Sequence, residues 1–414
     1  MIDIQLVRDN PDFIKEKSAQ KNVKVDIDRL LEVDKERLGL IGAVELSRQK
    51  KNDISSKMKD GQLDQDLLFQ AKVMKADLSK IEDELYACEE EWLGLLKSVP
   101  NPHSDDVPLG GEEDSKETKT SGSTEGEAVD HLDYAVQRDW VDFERGAKVA
   151  GAKFYFLKGD LALLENAVVQ YALDLITKKG FTYLTVPHMV NSRTSAGAGF
   201  APRTSEQSDE YFIEGEDLTL IGTAEAPLTG YHADEILNES DLPLKYVGYS
   251  PCYRKEAGTY GKHTRGLFRV HQFNKLEMYA FTTKEQSTQM HEDILAIEEE
   301  VWQAIGIPYH VINIASGDLG APAAKKYDVE YWSRVDKKYR ELTSCSNCTD
   351  FQTRNLNIRV RRNDGSIEPA HSLNGTVVSM ARTLIAIIEH YQQENGKLGI
   401  PTVIQPYMGG KTEI

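Results

Sequence analysis

The chain has 414 residues, 40% hydrophobic and 28% charged, which places it among globular proteins with room for two or three domains. It carries 67 Asp and Glu against 49 Lys and Arg, a net charge of −18, so any contact with nucleic acid is confined to a local basic patch. No run approaches the roughly 18 apolar residues of a membrane helix, four cysteines are too few for a disulfide scaffold, and the N-terminus MIDIQLVRDNPDF lacks a signal-peptide core; the chain reads as cytosolic with no membrane partner.

Asp9-Asn10-Pro11 is a helix-start signal. Residues 27–58 predict one long helix with a broken apolar stripe of Ile27, Leu30, Leu31, Leu38, Ile41 and Val44. Asp60-Gly61 is a turn signal. Over residues 63–97 two seven-residue repeats interleave: Leu67, Met74, Ile81, Cys88 and Leu95 in one, Ala71, Leu78, Leu85 and Trp92 in the other. Two helices joined by so short a turn fold back as an antiparallel coiled-coil arm. Its turn end carries Arg48, Lys50, Lys51, Lys57 and Lys59 against Asp53 and Asp60. From the residues alone this is either a solvated helix pair that docks elsewhere or a basic binding tip. Cys88, in the seam, is a small core residue.

Val99-Pro100-Asn101-Pro102 ends the helix. The acidic, Ser/Thr/Gly-rich run that follows reads as a linker or exposed hairpin. The expected division is a helical arm over 1–100, a linker over 101–130 and a second domain over 131–414. In that domain Phe154–Leu157 is a strand candidate, and Leu161–Lys179 has helical spacing with Gly180 as its stop. Gly180–Pro187 follows as a strand ending in proline. Residues 191–217, with Arg193 and Arg203, are polar and Gly-rich and read as a mobile loop. Leu218–Ile221 is a buried strand that runs into the small-residue turn Thr223-Ala224-Glu225.

Residues 250–279, SPCYRKEAGTYGKHTRGLFRVHQFNKLEMY, read as two strands joined by a loop from Gly258 to Gly266, long enough to suggest a function. Arg254 offers a planar, permanently charged fork suited to a carboxylate or phosphate. Glu256, two residues on along the strand, points to the same face, and Lys255 points away. Such a pair can hold an anion and an amine together. The second strand, Gly266–Tyr279, adds the carboxylate of Glu277. Residues 283–305 predict an amphipathic helix (Met290, Ile294, Ile297, Val301, Ile305), followed by a strand at Ile307–Ile312. Cys345 and Cys348 form a CxxC, but structural zinc takes four ligands and the other cysteines lie elsewhere, so no zinc is expected. Last, HSLNGTVVSMARTLIAIIEHYQQENG (371–396) reads as a strand (His371–Thr376) feeding a helix (Val377–Gln393). Arg382 falls in its early turns, where a cation is unfavourable unless an anion answers it.

The run from Tyr253 to Phe273, with its EAG, TRGL and RVHQF, resembles motif 2 of the class II aminoacyl-tRNA synthetases, and within that class the seryl branch of bacterial type. The helix–strand–proline segment ending at Pro187 resembles motif 1, residues 371–396 resemble motif 3, and Thr223-Ala224-Glu225 resembles the serine-binding signature. The resemblance covers essentially the whole chain. It implies an α+β fold: an antiparallel sheet flanked by helices, with an N-terminal antiparallel coiled-coil arm. It implies activation of L-serine by ATP with Mg²⁺, transfer to tRNA(Ser) with tRNA(Sec) as a second candidate, and a homodimer formed through motif 1 near Pro187.

Carried over position by position, the resemblance gives Arg254, Glu256 and Arg382 catalytic roles. Arg254 bridges the serine carboxylate and the α-phosphate, Glu256 meets the adenine amino group, and Arg382 holds the γ-phosphate. Phe273 stacks on adenine, Val270 touches ATP, and Lys255, Leu342 and Thr343 fall in ATP-binding stretches. Glu341 and Ser344 hold Mg²⁺ and phosphate. Thr223, Ala224 and Glu225 form the site for the serine amino group, and Glu277 and Thr376 bind its hydroxyl. Arg48, Lys50, Lys51, Lys57 and Lys59 face the tRNA. The sequence departs from the family at Lys255, where serine is usual, and in the loop Gly258–His263. Two other readings stand beside this one: an amino-acid ligase that loads a carrier protein, and a non-catalytic RNA-binding paralogue.

Overall fold

A computed structural model of the chain describes residues 1–59, 65–200, 209–256 and 265–414. They divide into two compact units, Met1–Pro102 and His103–Ile414. The predicted turn at Asp60-Gly61, Arg203, the Gly258–His263 loop and the Lys59 side chain lie outside the described residues.

In the first unit Pro11 opens the helix Pro11–Gln20. Helices α1 (Ile27–Lys59) and α2 (Gln65–Ser98) form an antiparallel pair, with Arg29 meeting Glu91 at 2.7 Å and Arg48 meeting Glu82 at 2.8 Å. On α2 every position of the two interleaved repeats is buried or half-buried, while Leu68, Phe69 and Tyr86 between them are exposed. The stripe on α1 differs from expectation: Leu38 is 49% exposed. The seam instead follows Leu30, Val33, Arg37, Leu40 and Val44, spaced by three and four residues. Arg37 belongs to it because its guanidinium lies 4.2 Å from the Trp92 ring centroid, a cation–π contact that lets a charged side chain occupy an apolar stripe.

The second unit is built on an eight-stranded sheet: β1 (Lys116–Ser121), β2 (Thr182–Thr185), β3 (Leu244–Tyr253), β4 (Gln272–Thr282), β5 (Tyr309–Asn313), β6 (Lys325–Ser333), β7 (Lys338–Asn347) and β8 (His371–Ser379), in the order β1-β5-β6-β7-β8-β4-β3-β2. All neighbours pair antiparallel except β2, which runs parallel to β3. Three helices flank it: α3 (Gly159–Lys178), α4 (Ser287–Ile305) and α5 (Met380–Tyr391). Buried Trp302 and Ile305 of α4 and Leu384 and Ile388 of α5 share one core with Val329 of β6 and Leu373 of β8.

Several boundaries moved. Strand β1 lies inside the stretch read as a linker and pairs with β5. As a polar edge strand it is exposed along most of its length, so it lacks the alternation that marks a half-buried strand. Strand β4 starts at Gln272, after a 3₁₀ turn over Gly266–Phe268. The 191–217 stretch contains a helix, Ser192–Ala198, and Arg193 is fixed there by Asp234 at 2.7 and 2.8 Å. Strand β8 continues through Ser379, so α5 begins at Met380. No helix among the described residues is long and apolar enough to cross a membrane.

Candidate active site

The site forms where two adjacent strands part. Strands β7 and β8 pair at Asn347–Leu373, Ser346–Asn374 and Cys345–Gly375, and their ladder ends there. Beyond its end, Glu341, Leu342 and Ser344 of β7 and Thr376 of β8 line a cavity of about 200 Å³. Arg254, Glu256, Val270, Phe273, Lys275 and Arg382 also belong to its wall. A second cavity of about 630 Å³ shares Phe268, Glu341 and Arg382 with it. Arg254 and Arg382, 128 residues apart in sequence, thus open onto one space.

Arg254 donates from Nε to the Gly222 carbonyl at 3.3 Å, and its guanidinium lies 5.2 Å from the Phe273 ring centroid. Arg254 and Glu256 line the cavity together, but strand alternation is not the cause. Strand β3 stops at Tyr253, and Glu256 has φ +48. Its backbone N–H donates to Asp209 Oδ1 at 2.6 Å, and its carboxylate accepts from Arg269 at 2.7 Å. A turn clasped by Asp209 replaces the straight strand. The same turn sends Lys255 away from the cavity, its ammonium 5.1 Å from the Phe212 ring centroid, which differs from its sequence placement among ATP-contacting residues.

Arg382 finds its anion in Glu341: it donates to the carboxylate at 2.9 Å and to the Glu341 carbonyl at 3.1 Å. Burial would raise the Glu341 pKa, but Arg382 and Lys326 hold it at about 2, so this carboxylate is ionised at any working pH. Thr343, between Glu341 and Ser344, points to the opposite face of the sheet, where its hydroxyl accepts from Trp302 Nε1 at 3.2 Å. It therefore supplies no side chain to the cavity, in contrast to its sequence placement.

Behind the wall residues Lys275 and Thr376 sits a polar cluster. Glu277 is ion-paired with Lys275, which also donates to Thr223 Oγ1 at 3.3 Å. Thr376 Oγ1 lies 3.5 Å from Glu277 Oε2. Glu225 accepts from Gln352 Nε2 at 2.8 Å and Asn374 Nδ2 at 2.9 Å. Burial, and next the Glu277 charge, push the Glu225 pKa up to about 7. Burial also raises Glu277, against the pull of Lys275. Ala224 is fully buried in an apolar cluster with Val186 and Leu228, so its side chain stays out of the site.

Sequence reasoning missed Lys275, Asn374, Gln352 and Arg269. Two carried a signal, since Lys275 precedes Glu277 by two residues on β4 and Asn374 precedes Thr376 by two on β8, which puts each on its partner's face. Gln352 and Arg269 carried none. Cys345 and Cys348 are buried free thiols. Toward the C-terminal end of α1, Lys50, Lys51 and Lys57 are exposed, whereas Arg48 is engaged by Glu82.

A family profile described as "tRNA synthetase class II core domain (G, H, P, S and T)" matches residues 209–391, and one described as "Seryl-tRNA synthetase N-terminal domain" matches residues 1–103. The chain is 44% identical over 418 residues to a serine–tRNA ligase of Dictyoglomus turgidum, covering 99% of this chain and 98% of that one. It is 39% identical over 418 residues to that of Treponema denticola, covering 99% of each. The crystal structure of seryl-tRNA synthetase from Pyrococcus horikoshii complexed with ATP superposes with a TM-score of 0.90 at 36% identity, covering 100% of this chain and 99% of that one. The cytoplasmic serine–tRNA ligase of Naegleria fowleri in complex with AMP gives 0.87 at 33%, covering 100% and 98%. Identity of this order along the full length, with both domain profiles in their proper order, means that the chain belongs to the seryl-tRNA synthetases of class II.

Proposed function

We propose that this chain activates L-serine with ATP and passes the seryl group to the 3′ end of tRNA(Ser) in the cytoplasm. A serine carboxylate oxygen attacks the α-phosphorus, pyrophosphate leaves, and the ribose hydroxyl of the tRNA then takes the acyl group as AMP departs. Both nucleophiles belong to substrates, so the protein contributes position and charge. The observation that carries this reading is the shared cavity of Arg254 and Arg382, whose wall residues Lys275 and Thr376 meet Glu277 in the polar cluster that also holds Glu225.

In this reading Arg254 bridges the serine carboxylate and the α-phosphate, and Arg382 takes the γ-phosphate. Glu256 meets the adenine amino group, Phe273 stacks on the ring, and Val270 and Leu342 border the nucleotide. Glu225 and Thr223 receive the serine ammonium. Glu277 and Thr376 hydrogen-bond its hydroxyl, so alanine would leave buried polar groups unpaired.

Mg²⁺ would travel with the nucleotide. It takes oxygen ligands, keeps several waters and is bound through one or two carboxylates plus phosphates. The ionised Glu341 and the Ser344 hydroxyl fit that donor set, and the ion would neutralise phosphate charge there.

The arm over 1–100 is assigned to tRNA recognition through Lys50, Lys51, Lys57 and Lys59 with Arg48, and residues 131–414 to catalysis. Tyr183 and Met189, exposed on either side of Pro187 at 41% and 44%, are apolar surface that a second copy would cover in a homodimer.

Amino-acid-dependent ATP–pyrophosphate exchange with all twenty amino acids, followed by charging of serine tRNA, tests the reading. Exchange with serine and transfer to its tRNA is the expected result; exchange driven by a different amino acid would overturn it.

A further inference from the structure

The parting of β7 and β8 is supported from below by α4. Two bulges lie just past the last rung: Leu342 is the extra residue of β7 against β6, and Val377 that of β8 against β4. Bulges leave backbone groups outside the ladder, and buried ones need other partners. One face of α4 meets this region through two backbone groups and one side-chain hydroxyl. His291 Nε2 donates to the Cys345 carbonyl at 3.1 Å, Glu298 Oε1 accepts from the Thr376 N–H at 3.0 Å, and Trp302 Nε1 donates to Thr343 Oγ1 at 3.2 Å. The helix can come this close because residue 375 is glycine. A Cβ there would sit 2.3 Å from Ile294 Cγ2 and 2.9 Å from Glu298 Oε1.

Glu298 is fully buried and lies on the helix side of the sheet, outside the cavity wall described above. We propose that Glu298 is a positioning residue of the amino-acid pocket: by holding the Thr376 N–H across the strand parting, it fixes where Thr376 presents its hydroxyl beside Glu277. The proposal rests on reading Glu277 and Thr376 as the site of the substrate hydroxyl. Burial raises the Glu298 pKa well above the usual carboxylate range, and the Glu277 and Asp328 charges push the same way.

The test compares Glu298→Gln, which keeps a carbonyl acceptor at the same length, with Glu298→Met, which keeps the length and removes the acceptor. Glu298→Gln should leave both KM values in serine-dependent exchange within about twofold. Glu298→Met should raise the serine KM by about tenfold, the scale of one lost buried hydrogen bond, with the ATP KM within about twofold. Hydrogen–deuterium exchange of a peptide spanning residues 371–379 should quicken in the Met variant alone. If Glu298→Met does not accumulate folded, Glu298→Asp, shorter by one methylene, is read by the same criteria. Equal rises in both KM values, an unchanged serine KM, or a Gln variant as impaired as Met would each overturn the proposal. The hydrogen-exchange readout needs no substrate, so it judges Glu298 even if the unaltered chain activates another amino acid, a result that would refute the serine reading instead.

Discussion

The helical arm and the sheet unit use charged side chains in opposite ways. On the arm, ion pairs such as Arg29–Glu91 sit in water, with side chains 43% and 46% exposed, where solvent screens them and each contributes little. In the sheet unit, Lys275–Glu277 is buried at 11% and 2% exposure, and desolvated charges make removal of one partner costly. These exposed pairs of the arm therefore tolerate single charge changes, and the surface acts through its summed field. The site depends on each group being fixed in place before substrate arrives.

The largest break in this comparison should come from Arg254→Ala. Loss of a preorganised cation from the reacting centre should lower serine-dependent pyrophosphate exchange by about a hundredfold to a thousandfold, with a nearly unchanged thermal melt; a loss under about fivefold would deny Arg254 its role.

Next comes Glu225. With its pKa at about 7, it is protonated and neutral below that pH and ionised above it. A neutral acid attracts a substrate ammonium poorly, so the serine KM should fall as pH rises from about 6 to about 8. Glu225→Gln should flatten that profile and raise the KM by about tenfold at the alkaline end. A wild-type KM that is level across this range would remove Glu225 from the ammonium site.

On the arm, joint replacement of Lys50, Lys51 and Lys57 by Glu should reduce tRNA charging by about tenfold at low salt and leave pyrophosphate exchange intact. Charging that resists the triple change would assign tRNA binding to another surface. The smallest effect belongs to Arg29→Ala: a melting shift under about 2 °C and no change in either half-reaction.

How legible each region was follows the same division. The α2 seam could be read position by position, because a seven-residue repeat is a local pattern. The α1 seam was obscured by Arg37, whose contact with Trp92 is a tertiary fact. Strand β1 was obscured by its polarity, which is what an edge strand carries. At the site, the motifs located Arg254, Glu256, Glu341 and Arg382, yet the route by which Arg254 and Glu256 come together was misread, since Asp209 bends the chain after Tyr253. Glu298 was hidden in the run Glu298-Glu299-Glu300, where nothing local tells the two buried acids from the exposed Glu300.

The central claim is that Arg254 and Arg382 grip one nucleotide. Calorimetric titration of ATP into the unaltered chain, Arg254→Ala, Arg382→Ala and the double variant tests it most directly. The account predicts that each single change weakens ATP binding by about tenfold or more and that the double loss is smaller than the product of the two, because both groups act on one triphosphate. Unaltered ATP affinity in either single variant would contradict it.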